Sequence, residues 1–144
     1  MCFVLLVEDN STFRKSLKEM LSLRFPGLEI EEASDGEEAL QKLETIYPDL
    51  IFMDIRLPGK NGLELTREIK GHYPDLVISI FTSYDLPEYR KIAEEYGADH
   101  FLLKDTLTGA EIAAMVKAII AKKERSSKGL HRKREVYERK ASIH

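Results

Sequence analysis

The sequence predicts an α/β fold: a doubly wound, five-stranded parallel sheet of strand order 2-1-3-4-5, with helices on both faces. Three observations predict it. Five short apolar runs alternate strictly with helical patterns, and β–α alternation implies a parallel sheet covered on both sides. Four of the runs are continuously apolar, as strands buried on both faces must be. The second, Leu28-Glu29-Ile30-Glu31, alternates instead, which marks an edge strand. Right-handed crossovers then favour the doubly wound order.

The elements follow in chain order. The first strand is 3–7, FVLLV, and runs directly into Glu8-Asp9. A helix over about 11–24 is stopped by Pro26-Gly27, and the alternating strand spans 28–33. Asp35 followed by Glu38 signals the helix 36–46, and Pro48 lies just beyond its end. There the capping oxygen satisfies an orphan amide, and the acid suits the positive helix terminus. The third strand, 50–53, LIFM, ends in Asp54. Asn61 and Glu64 open the helix 62–71, with Gly71 as its stop. The fourth strand, 76–82, ends in Thr82-Ser83; Asp85 and Glu88 open the helix 86–96, and Gly97 closes it. The fifth strand, 100–103, ends in Lys104. Thr108 and Glu111 open the last helix, 109–124, whose Ile112, Met115, Val116, Ile119 and Ile120 form one apolar stripe. No repeat and no low-complexity segment stands out.

Composition narrows the class. At 144 residues with 43% hydrophobic content the chain fits one domain with a real core. The single cysteine, Cys2, excludes an internal disulfide framework and fits a reducing compartment. The histidines, His72, His100, His131 and His144, have no metal-ligand spacing. No apolar run approaches the roughly 18 residues of a membrane span, and MCFVLLV is too short for a secretion signal. The expectation is a cytoplasmic protein with no membrane association. The net charge of −3 hides an asymmetry: residues 1–121 carry 13 Lys+Arg against 22 Asp+Glu, and 122–144 carry 9 against 3. The expected division is an acidic domain, 1–122, and a basic tail or linker with helical potential, 123–144. That tail is too short for a DNA-binding fold with its own core, but could grip phosphate backbones or an acidic surface.

In a sheet of this order, ligands bind beyond the carboxyl ends of the strands, at the switch point between strands 1 and 3. Glu8, Asp9, Asp54, Thr82 and Lys104 all fall at those ends. Taken singly each has a commoner use: a cap, a turn acid, a strand-end hydroxyl, a solvated lysine. Together they converge. Crowded carboxylates need a counter-charge, and an oxygen-only cluster suits Mg²⁺, which commonly uses one or two carboxylates plus waters and phosphate oxygens. A carboxylate beside such an ion, with a lysine and a hydroxyl nearby, can serve as nucleophile toward a phosphoryl group.

The acidic pair after strand 1, the Asp after strand 3, the Thr after strand 4 and the Lys after strand 5 resemble the receiver domain of two-component response regulators. MDIRLPGKNGLEL and YGADHFLLKD resemble that family's text closely, and the likeness covers residues 1 to about 122. The resemblance implies a flavodoxin-like fold and a phosphoacceptor switch rather than a turnover enzyme. It implies Asp54 as phosphoacceptor, and Mg²⁺ held by Glu8, Asp9, Asp54 and the backbone carbonyl of Arg56. Thr82 and Lys104 would bind the phosphoryl oxygens, and Phe101 would be the switch aromatic that turns inward as Thr82 moves. The donor would be a phosphohistidine on a sensor histidine kinase or phosphotransfer protein. The output would be the surface of helix 4, strand 5 and helix 5, used toward a partner or for a homodimer. Arg56 and Tyr84 occupy the positions that tune dephosphorylation. Two departures stand out. Asp105 replaces the usual Pro after the lysine, and Phe101 lacks the hydroxyl of the commoner Tyr. Three alternatives remain beside this reading. One is a degenerate receiver serving as an interaction module. Another is a nucleic-acid binder working through 122–144. The third is a phosphohydrolase of the haloacid dehalogenase type, which Arg56 disfavours by standing where that family resembles a second Asp.

Overall fold

The computed structural model describes residues 2–125. Of the expected tail, 123–144, and of the segment 122–144 given the nucleic-acid reading, residues 126–144 lie outside the described residues, while 122–125 belong to the last helix.

Five strands and five helices alternate: β1 (Phe3–Val7), α1 (Ser11–Arg24), β2 (Glu29–Ala33), α2 (Gly36–Leu43), β3 (Leu50–Met53), α3 (Gly62–His72), β4 (Val77–Thr82), α4 (Pro87–Glu95), β5 (His100–Leu103) and α5 (Gly109–Arg125). The sheet order is β2-β1-β3-β4-β5, and every pairing is parallel. The doubly wound fold and its strand order are therefore as the sequence predicts.

Alternation along the strands builds two cores. Leu5, Val7, Ile51, Met53, Ile78 and Ile80 meet α2, α3 and α4 through Ala39, Leu43, Leu65, Ile69 and Ala93. Val4, Leu6, Leu50, Phe52 and Phe81 meet α1 and α5 through Leu17, Leu21, Ile112 and Val116. The central strands are apolar at consecutive positions because both of their faces are covered.

The helix starts obey local chemistry with one exception. Asn10, Asp35, Asn61 and Thr108 accept amide hydrogens from Phe13, Glu38, Leu63 and Glu111. Asp85 does not cap α4, contrary to expectation. The N-cap there is Leu86, without a side-chain hydrogen bond, and Pro87 opens the helix, where its missing N–H costs nothing. The Asp85 carboxylate instead takes Arg90 at 3.2 Å. Gly71 does not stop α3, which continues to His72 and closes with the Tyr73 amide on the Ile69 carbonyl. Gly97 does end α4's turn, at φ +96, a left-handed conformation that favours glycine. α2 stops at Leu43, three residues early, with the Thr45 and Ile46 amides turned back onto the Lys42 carbonyl.

At the amino end of the sheet, carboxylates tie neighbouring strands. Asp49 accepts from the Phe3 amide and Asp99 from the Ile78 amide, each at 2.8 Å. Lys123 reaches the largely covered Asp49 side chain at 3.1 Å, so α5 stays anchored one residue into the segment whose composition reads as tail. Among the described residues no helix is long and apolar enough to cross a membrane.

Candidate functional site

The strand ladders extend one residue beyond the strands and thereby place the site. The Glu8 amide donates to the Ala33 carbonyl, the Asp54 amide to Val7, and the Lys104 amide to Thr82, at 3.0, 3.0 and 2.9 Å. Backbone pairing across β2, β1, β3, β4 and β5 thus presents Glu8, Asp54, Thr82 and Lys104 on one edge of the sheet.

Carboxylate oxygens of Glu8, Asp9 and Asp54 lie within 4.8 Å of one another. Glu8 and Asp54 are buried, at 5% and 7% exposure, while Asp9 is exposed. The cap at α1 is Asn10, which leaves Asp9 out of the cap and in the cluster. Lys104 Nζ donates to Glu8 Oε1 and, at 3.2 Å, to Asp54 Oδ2. The second oxygen of Asp54 accepts from the Ile55 amide at 2.8 Å. The Lys104 ammonium also lies 4.4 Å from the centre of the Phe13 ring.

One ammonium facing three carboxylates leaves the site with excess negative charge. Burial pushes the Glu8 carboxyl up to about 7; hydrogen bonds from Lys104 and the Asn10 amide oppose that, and the charge of Asp54 adds to it. Burial by itself would lower the Lys104 ammonium, but the Glu8 hydrogen bond and the charges of Asp54 and Glu8 outweigh it, so Lys104 is raised. A hard divalent cation ligated by oxygen relieves that imbalance, and this donor set fits Mg²⁺.

The remaining sequence-predicted residues make contacts of their own outside the cluster. Thr82 is fully buried, and its hydroxyl accepts the Tyr84 amide hydrogen at 3.3 Å. Arg56 and Tyr84, on separate loops, meet: the guanidinium carbon stands 4.1 Å from the Tyr84 ring centre. Phe101 is half-buried against the β-sheet core and lies under Arg90, at 4.7 Å. Asp105 is exposed, and the Lys104–Asp105 bond is trans, as are all peptide bonds among the described residues.

Three residues that shape the site are absent from the sequence-based set. Arg14 donates to the Glu8 carbonyl at 2.6 Å while its Nε holds Glu32 at 3.0 Å. Phe13 flanks Lys104. Gly62 presses on the phosphoacceptor candidate itself: a Cβ there would lie 1.8 Å from the Asp54 carbonyl oxygen. In the sequence Gly62 reads only as the start of a helix, since nothing local reveals a contact eight residues back.

Comparison with known proteins gives a consistent picture. The family model for the response regulator receiver domain matches residues 4–117. The transcriptional regulatory protein DegU of Brevibacillus brevis is 31% identical over 78% of this chain and 48% of its own length. The DNA-binding transcriptional activator DevR/DosR of Mycobacterium tuberculosis is 36% identical over 81% of this chain and 53% of its own. The chain therefore spans about half the length of these curated relatives. Among solved structures, a CheY-like response regulator receiver domain protein from Methanospirillum hungatei is similar with a TM-score of 0.79 at 26% identity, over 88% of this chain and 98% of that one.

Proposed function

Because this chain belongs to the response regulator receiver family, we propose that it is a two-component signalling switch in which Asp54 takes a phosphoryl group from a phosphohistidine. The observation that carries the reading is the Asp54 carboxylate: buried, clustered with Glu8 and Asp9, and bonded to Lys104.

In the transfer, a carboxylate oxygen of Asp54 forms a bond to phosphorus as the phosphorus–nitrogen bond of the donor breaks; the imidazole leaves and takes up a proton. The Ile55 amide holds Oδ1, which orients the carboxylate and leaves Oδ2 on the Lys104 side. Glu8, Asp9, Asp54 and the Arg56 carbonyl would hold Mg²⁺, which supplies neutralisation of the charge on the phosphoryl oxygens. Lys104 supplies a fixed positive charge to the same oxygens, and Thr82 a hydrogen bond. Arg56 stacked on Tyr84 covers the approach to the acyl phosphate and slows attack by water. The acyl phosphate hydrolyses to the carboxylate and inorganic phosphate, so the protein resets rather than turning over a metabolite.

The donor proposed is a sensor histidine kinase or phosphotransfer protein in the cytoplasm. The output proposed is the face of α4, β5 and α5, toward a partner or a second copy of this chain. DNA contact through 122–144 stands as the secondary output; the names of DegU and DevR/DosR refer to chains about twice as long.

Intact mass tests the core of this reading. With Mg²⁺ and acetyl phosphate, the parent gains one phosphoryl group and Asp54→Ala gains none. A folded parent that gains nothing from either acetyl phosphate or phosphorylated histidine kinases would contradict it.

A further inference from the structure

We infer that Arg14 is a positioning residue for the divalent cation: its guanidinium straps the end of β1 to β2 and fixes the peptide that carries both Glu8 and Asp9. The inference rests on the Mg²⁺ site of the proposed function.

The β1 ladder ends with the Glu8 amide on the Ala33 carbonyl, and Asn10 then caps α1. The Glu8 carbonyl falls between the two. It belongs to the planar peptide that joins Glu8 to Asp9, so the direction of its oxygen helps to set the directions of both side chains. Arg14 Nη1 donates to this oxygen at 2.6 Å, and Arg14 Nε donates to the Glu32 carboxylate on β2 at 3.0 Å. Two donors of one rigid fork thus serve two strands, which the point charge of a lysine does not reproduce. The Arg14 side chain is largely covered. Its anchor is held in turn, since Lys18, one turn along α1, reaches the other oxygen of Glu32 at 3.2 Å. Burial alone would raise the Glu32 carboxyl, but the hydrogen bonds from Lys18 and Arg14 outweigh it and hold it below its ordinary value, so the anchor keeps its charge.

The side chain of Glu8 is held separately, by Lys104 on Oε1 and by the Asn10 amide on Oε2 at 3.1 Å. A cation taking up the Glu8 carboxylate competes with Lys104 for it. The Arg14 bond is made to the backbone and stays in place. Charge and position then predict opposite signs for Arg14. A bare cation beside three carboxylates repels Mg²⁺, and its removal would tighten binding. A strap holds the carboxylates in place beforehand, and its removal weakens binding because the loosened peptide must be ordered when the ion binds.

Calorimetric titration of the full chain with Mg²⁺ tests the strap. Arg14→Ala is expected to weaken binding about tenfold, the lower end of what losing a hydrogen bond behind a metal ligand costs. Glu32→Ala, which removes the anchor, is expected to shift affinity in the same direction, and the double variant to lose little beyond Arg14→Ala. Urea unfolding of the metal-free variants separates position from general destabilisation. Lower stability with unchanged Mg²⁺ affinity overturns the inference, as does tighter binding by Arg14→Ala. Should Arg14→Ala fail to fold, Arg14→Lys decides, because it keeps the charge without the fork; affinity equal to the parent's overturns the strap. A parent that does not bind Mg²⁺ overturns the metal site and the strap with it. A parent that binds, with no response to either Arg14 variant, overturns the strap alone.

Discussion

Glu8 carries the site's electrostatic tension. Its carboxyl is raised to about 7, chiefly by burial, whereas an unfolded glutamate titrates near 4.5. A raised carboxylate favours the folded state most when protonated. The metal-free protein is therefore expected to lose stability as pH rises from about 4.5 to about 7. Urea unfolding across that range checks this, and Glu8→Gln is expected to flatten the slope. A stability that rose through the same window in the parent would contradict the sign. Gly62 poses a steric question at the same scale. With Asp54's carbonyl 1.8 Å from a would-be Cβ, Gly62→Ala must push α3 or the Asp54 backbone aside. The expected cost is about 1–3 kcal/mol, measured by denaturant unfolding, together with loss of phosphoryl uptake. The placement of Asp54, Glu8, Asp9, Thr82 and Lys104 at one end of the sheet was legible in the sequence because a parallel sheet puts strand ends together. Gly62 and Arg14 were not, because their roles are contacts with backbone atoms that side-chain chemistry does not announce.

Under the proposed function, the loops beside the site would set how long a phosphoryl group lasts. Arg56 and Tyr84 come from different loops and stack at 4.1 Å. As two halves of one cover, they are expected to act non-additively. Arg56→Ala and Tyr84→Ala are each expected to shorten the phosphoryl lifetime by about two- to fivefold, the worth of one such contact, and the double variant to add little more. Decay of the phosphorylated mass with time measures this; lifetimes equal to the parent's would contradict it. Element boundaries show where local signals mislead. The Asp85…Glu88 spacing has the form of a capping box, yet tertiary structure recruits Asp85 to Arg90 and leaves α4 to begin at a proline. Gly71 is tolerated inside α3 because a glycine stops a helix only where a left-handed turn is needed, and the chain there continues to Tyr73.

At the scale of the whole molecule, the two cores on opposite faces of the sheet explain why the fold was the most legible property. Continuous apolar runs at β1, β3 and β4 leave few alternatives to a covered parallel sheet. The last helix, expected over 109–124, ends at Arg125, beyond the change in composition near residue 122, because packing continues there. Lys123 pairs with Asp49, whose side chain is 6% exposed. Truncation after 121 is therefore expected to lower the melting temperature relative to truncation after 125, by the few degrees that a loss of about 1–3 kcal/mol produces; equal melting would show that the last turn contributes nothing. In the proposed function, phosphoryl chemistry occurs at Asp54 and nowhere else. Borohydride reduction converts an acyl phosphate on aspartate to homoserine, so peptide mass spectrometry after treatment with Mg²⁺ and acetyl phosphate locates the modified residue. Homoserine at position 54, absent without Mg²⁺, is the result predicted. A folded protein that acquires the label at another carboxylate, or acquires it equally with Asp54 replaced, would rule out Asp54 as the phosphoacceptor.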